Sequence, residues 1–134
     1  MHLLTGPVVE LDPVNATMSS TAISTYGALE AGHCIDGNTV PVGTLPHGGI
    51  CSTTPNNDAT PWIAIDYDTR VIVERVEIFN RADCCGGRTR NVDVRVSDEL
   101  PTSGDLFSGG TLLGHFAGPA TNSQHIIISG QKLL

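Results

Sequence analysis

Apolar and polar positions alternate most cleanly from Asn91 to Val96. Val92, Val94 and Val96 fall on one face there, and Asn91, Asp93 and Arg95 on the other, which is the period of a half-buried strand. Upstream, Trp62–Tyr67 is a short apolar run, and Val71–Phe79 is dense in β-branched residues, as a buried strand is. Thr111–Phe116 and His125–Ser129 read as two further strands, and clusters of glycine, proline and asparagine separate the segments. Only Tyr26–Ala31 carries the pattern of a helical turn, with Gly32 placed to end it. The pattern predicts an all-β fold of many short strands, a β-sandwich or jelly roll.

A length of 134 residues fits a single domain, 1–134, with enough chain to bury a core. No apolar run reaches the length of a membrane span. The first residues, Met1 to Pro7, lack the basic region and apolar stretch of a signal peptide. Four cysteines in so small a domain point to an oxidising destination, extracellular or on a particle surface.

A net charge of −7 argues against non-specific binding to nucleic acid or anionic membrane. The positive charge is also clustered: all six arginines lie between Arg70 and Arg95. Arg70, Arg75 and Arg95 read as strand-face residues paired with Glu74, Glu77 and Asp93. Arg81, Arg88 and Arg90 sit in a glycine-rich turn that a ligand could reach.

The turn from Asn80 to Arg88, N-R-A-D-C-C-G-G-R, concentrates the candidate chemistry. Each guanidinium offers five donors in a fixed fork, and Asp83 can hold a fork in place by charge-assisted hydrogen bonds. Cys84 and Cys85, if joined, form a small ring with an apolar sulfur face. Donors beside a flat apolar patch suit a sugar, which has hydroxyls at its rim and C–H groups on its faces. Two separate structural disulfides and surface ion pairs account for the same residues equally well, and the residues alone leave both readings standing.

The stretch resembles the signature of the fucolectins (F-type lectins), in which a histidine lies about two dozen residues upstream of R-x-D-C-C-x-x-R. Arg81, Asp83, Cys84, Cys85 and Arg88 match its second half at the family's spacing. The resemblance extends from about Val14 to Gly104 through C-I-D-G-N at Cys34–Asn38, H-G-G-I-C at His47–Cys51, P-W-I-A-I-D at Pro61–Asp66 and N-V-D-V-R-V at Asn91–Val96. It implies the F-type lectin, discoidin-like β-sandwich, with ligand loops clustered at one end. The chain stops at Gly130–Leu134, before the last strand of that family.

Ahead of the strands, His33-Cys34-Ile35-Asp36-Gly37-Asn38 places hard oxygens around a glycine turn. Such donors suit calcium, and they equally make an ordinary Asx turn. The resemblance implies a structural calcium held by Asp36, Asn38 and the backbone carbonyl of His33. Where the family has a serine ligand this chain has Ile50, which offers only its carbonyl. The ligands of the family's last strand have no counterpart.

The resemblance also bears on the cysteines, for which three connectivities exist. It implies a Cys84–Cys85 vicinal disulfide. The family partner of Cys51 is missing and Cys34 is an addition near the same site, so a Cys34–Cys51 bridge is expected. That bridge closes a loop of 17 residues. The loop-entropy estimate for it is roughly 3 kcal/mol.

The family histidine is the departure. Counting back from Arg81 lands on Thr54, and anchoring on Cys51 lands on Thr53; either hydroxyl can donate one hydrogen bond over a shorter reach. His47 lies near enough in sequence to substitute. Tyr26, Leu29, Leu45 and Pro46 are candidates to contact the sugar's methyl group.

The implied function is a non-catalytic lectin domain for L-fucose or fucosylated glycans, weak at a single site and strengthened in a homo-oligomer or larger multidomain assembly. A galactose-type ligand on a discoidin-like sandwich, or a structural attachment module with a degenerate sugar site, are the alternatives. Asn15-Ala16-Thr17 is a glycosylation sequon. The histidines lack zinc spacing, and no Ser-His-Asp order or phosphate loop occurs. Asp83 alone does not make the acid–base pair an enzyme of sugars needs.

Overall fold

The computed structural model describes residues 9–44, 49–54, 56–101 and 107–130. Its strands are β1 (Asn15–Met18), β2 (Ile23–Ser24), β3 (Gly27–Ala28), β4 (Ile63–Asp66), β5 (Arg75–Phe79), β6 (Val92–Val96), β7 (Thr111–Phe116) and β8 (His125–Ser129). Two short 3-10 turns, Ala31–Ile35 and Gly86–Arg88, are the helical elements among the described residues. The expected β7 and β8 are found at their expected bounds. The other three strands lie inside their expected ranges, β5 starting only at Arg75.

All ladders among the described residues are antiparallel, pairing β1 with β4, β2 with β3, β5 with β8, and β6 with β7. The β6–β7 ladder shifts register between Val94 and Arg95, so Leu113 has no direct opposite. Ala120, Ile126 and Ile128 are buried between the β5–β8 and β6–β7 pairs, with Ile78, Val94, Leu113 and Phe116 packed on them. A fully buried isoleucine contributes about 1.5–3 kcal/mol. Alternation along β8 is strict: Ile126 and Ile128 face in, while His125, Ile127 and Ser129 face out. Ile63 and Ile65 of β4 remain exposed.

The helical turn expected over Tyr26–Ala31 does not form. Residues 23–28 make a small hairpin, β2–β3, and the 3-10 turn begins only at Ala31 and includes Gly32. Ser24 decides this locally. Its hydroxyl donates to the Gly27 carbonyl and accepts from the Tyr26 N–H, offering the backbone a turn in place of a helix.

The arginine pairings also differ in part. Arg75 pairs with Glu77 as expected, but Arg70 pairs with Asp98, and Asp93 with His115. Arg95 donates to the carbonyls of Ser108 and Gly109. Asp93 meets His115 because the two stand directly opposite in the β6–β7 ladder.

Candidate functional site

The Asn80–Arg88 turn connects β5 to β6, and Asn80 anchors it. Asn80 is buried, and both its amide hydrogens and its oxygen are bonded. Nδ2 donates to the carbonyls of Gly86 (3.0 Å) and Thr121 (2.9 Å), and Oδ1 accepts from the Thr89 hydroxyl (2.8 Å). One amide thus ties the start of the turn, its 3-10 segment and the β7–β8 connection together. Asn122 adds a second tie, its Oδ1 accepting from the Gly86 N–H at 2.8 Å. A Cβ on Gly86 would lie 2.5 Å from the Asn122 backbone nitrogen, so only glycine allows this approach. Backbone bonds from Ala120 to the Thr89 carbonyl and from Ser123 to the Arg81 carbonyl complete the support.

On that base Cys84 and Cys85 are joined as a vicinal disulfide, with Cys85 in the left-handed region at φ 64°. Arg81 and Asp83 make a two-point bridge, Nε to Oδ1 at 2.7 Å and Nη2 to Oδ2 at 2.9 Å. Both side chains are mostly covered, at 23% and 20% exposure. The Arg81 hydrogen bonds hold the Asp83 carboxyl well below the ordinary carboxylate range, against the opposing effect of desolvation and with help from the Gly43 N–H. The same bonds raise the Arg81 pKa. Three of the five Arg81 N–H donors remain after the bridge to Asp83. Arg88 is exposed; its backbone N–H donates to the Cys85 carbonyl, and its side chain makes no hydrogen bond or ion pair among the described residues.

Segment 41–43 closes over Arg81. The Ala82 N–H donates to the Pro41 carbonyl, and Gly43 is buried directly against the guanidinium. Asn80, Gly43, Gly86 and Asn122 were not identified as site residues by sequence reasoning. Asn80 and Gly86 lie within the singled-out stretch, whereas Gly43 and Asn122 carry no local signal, because only folding brings them there.

The Thr53 hydroxyl makes no hydrogen bond among the described residues, while the Thr53 carbonyl accepts from the Ser52 hydroxyl. Thr54 is committed elsewhere: its hydroxyl donates to the Thr21 carbonyl, and its N–H to Ser20. Ser19 and Ser20 both donate to Asp58, whose pKa they lower, closing that end of β1 and β4. His47 lies outside the described residues, as do Leu45 and Pro46. Leu29 is buried and Tyr26 half-exposed.

The second constellation folds as successive Asx turns. Asp36 Oδ1 accepts from the Asn38 N–H at 2.9 Å, and Asn38 Oδ1 from the Val40 N–H at 3.0 Å. The His33 ring nitrogen stands 3.7 Å from Asp36 Oδ2. The expected Cys34–Cys51 disulfide is formed, with Cα atoms 5.3 Å apart, and holds Ile50 beside this turn. Among the described residues no three His, Cys, Asp or Glu side chains converge on a metal position. The hard oxygens of Asp36 and Asn38 keep lone pairs beyond their N–H bonds, so the donor chemistry fits calcium, with most ligands coming from amide and carbonyl oxygens.

Residues 33–124 match the family model described as the NedA-like, galactose-binding domain. The chain belongs to that family. This discoidin-like domain is an all-β sandwich, in keeping with the architecture above. Its relatives include a fucolectin of Anguilla anguilla, 29% identical over 96 residues (72% of this chain and 58% of that protein). Fucolectin-4 of Anguilla japonica is 30% identical over 111 residues, covering 82% of this chain and 59% of that protein. Fucolectin-1 of the same species is 33% identical over 87 residues, 63% of this chain and 47% of that protein. The chain therefore spans roughly half the length of these relatives. No solved structure matches it.

Proposed function

We propose that this galactose-binding-family domain is a non-catalytic lectin module that binds L-fucose or a fucosylated glycan through the Arg81–Arg88 turn. The observation that carries the reading is the Arg81 fork, locked by Asp83 and pressed on by Gly43, with the Arg88 guanidinium left without a partner among the described residues. A fork fixed in advance loses little rotamer freedom when it meets a sugar, so more of each hydrogen bond appears as affinity. Arg81 donates with its remaining N–H groups and Arg88 with its full fork, to the ring oxygen and neighbouring hydroxyls. The Cys84–Cys85 ring packs on a C–H face of the sugar. The fucolectin names of the relatives support fucose as the ligand.

Thr53 takes the place of the family histidine better than Thr54, because the Thr54 hydroxyl is bonded to the Thr21 carbonyl and the Thr53 hydroxyl is free to donate among the described residues. Calcium held by Asp36, Asn38 and the His33 and Ile50 carbonyls would add charge neutralisation and stiffness to the turn beside the groove. A single site of this size binds weakly, so the reading includes several copies in an oligomer or larger assembly. Two disulfides suit an extracellular or particle-surface setting.

The family description favours one second reading, a galactose-type ligand at the same turn. A glycan-array screen tests both. Fucosylated hits lost in Arg81→Ala support the first reading and galactose-only hits the second. A blank array leaves a structural attachment module.

A further inference from the structure

The outward face of β5 and β8 carries a feature that the turn does not use. Phe79 stands directly opposite His125 in the ladder, and their rings stack with centroids 4.4 Å apart and planes 18° from parallel. Phe79 is 37% exposed and the His125 side chain 43%. Stacking on each other occupies one face of each ring. His125 Nε2 lies 2.9 Å from Glu77 Oε1, and Arg75 Nη2 lies 3.7 Å from Glu77 Oε2. Two flat rings are therefore edged by a carboxylate and a guanidinium on one strand face.

Position gives the patch its meaning. Along β5 the even residues turn inward: Ile78 packs on the core, and Asn80, just past the strand, is buried. Alternation sends Arg75, Glu77 and Phe79 outward, and Arg81 follows two residues after Phe79, just past the strand's end. Two residues span at most about 7 Å, so the Phe79 backbone stands within a sugar's width of the Arg81 backbone.

We propose that Phe79, His125 and Glu77 form a second saccharide subsite, taking the sugar linked to the one held by Arg81 and Arg88. The inference rests on the lectin reading of the turn and adds to it the length and direction of the glycan. An aromatic ring packs on the C–H face of a pyranose, and the Glu77 carboxylate accepts from hydroxyls at the rim. A protein partner fits less well, because two rings rimmed by charges are far smaller than a stable interface.

Titration calorimetry on the full chain separates the two subsites, with methyl α-L-fucoside and a fucosyl-lactose trisaccharide as probes. The trisaccharide should bind more tightly than the fucoside. Phe79→Ala and His125→Ala should each lower trisaccharide affinity by about two- to tenfold, the scale of one aromatic contact, and leave the fucoside unchanged. Ile127→Ser, on the same face, should alter neither. If Phe79→Ala unfolds the chain, His125→Ala carries the test alone. Equal loss for both sugars would mean that the ring pair merely supports the turn, and the subsite would be wrong. A trisaccharide no tighter than the fucoside, or an advantage that survives both variants, also overturns it while leaving the turn's reading intact. No binding of the fucoside to the wild-type chain overturns the turn's reading itself, and this inference with it.

Discussion

Gly43 lies directly against the Arg81 guanidinium: a Cβ at position 43 would stand 2.5 Å from Arg81 Cζ and from Nη2. Real Cβ atoms do not come so close, so Gly43→Ala must push the fork off Asp83 or lift segment 41–43. Either change loosens the prearranged donors. Sugar affinity should fall severalfold in Gly43→Ala while thermal stability changes little, as read by calorimetry and a melting curve. Unchanged affinity would show that the fork need not be held.

Arg81→Ala and Arg88→Ala should each lose about 1.5–3 kcal/mol of binding, the worth of a charged hydrogen bond, or roughly ten- to a hundredfold in affinity. Arg70→Ala is the control, because its ion pair with Asp98 is well exposed and distant in sequence from the turn. Thr53→His should strengthen fucose binding and Thr54→His should not. Wild-type heat in both arginine variants would place the sugar elsewhere.

Acid should spare the site longer than carboxylates usually allow. The folded-state pKa of Asp83 is depressed, chiefly by Arg81, below its unfolded value. Its contribution is therefore complete above the unfolded pKa of about 3.9 and is lost as pH falls from there through the folded pKa. Binding at pH 4 should match binding at pH 7 as far as Asp83 governs it. Carbon NMR of the Asp83 carboxyl should show a midpoint below the ordinary aspartate value; one at or above it contradicts the bridge.

Asn80→Ala should destabilise the fold by about 1–3 kcal/mol, because the carbonyls of Gly86 and Thr121 and the Thr89 hydroxyl lose a buried partner together. Denaturant unfolding measures this. Asn80→Asp should be no milder, since a carboxylate cannot donate to two carbonyls. A neutral Asn80→Ala would show that water replaces the amide.

Calcium, if Asp36 and Asn38 hold it, should raise the melting temperature by mass action on the folded state. The comparison is millimolar calcium against excess chelator, in the wild type and in Asp36→Ala. An equal shift in both, or none in either, removes the ion from this turn.

Much of the outline was legible in the sequence because it is written in local terms. Alternation placed β6 nearly to the residue, β7 and β8 were read as strands at their observed bounds, and glycine, proline and asparagine clusters marked the turns between them. Resemblance to the fucolectins supplied the two disulfides, including a Cys34–Cys51 bridge that closes in the structure. Where a local signal met a local competitor, it failed: the apolar pattern of Tyr26–Ala31 lost to the Ser24 hydroxyl bonds of the β2–β3 hairpin.

Residue types in the turn were likewise a matter of sequence, since Arg81, Asp83, Cys84, Cys85 and Arg88 fall within eight consecutive positions. Their arrangement was not. The backing comes from Gly43, nearly forty residues upstream, and from Thr121 and Asn122, about as far downstream. The ring beside Phe79 comes from His125 on β8. Such contacts leave no period along the chain, because a hydrogen bond or a stacked ring depends on proximity in space. Alternation can say which way Phe79 points; only the pairing of β5 with β8 decides what stands opposite it.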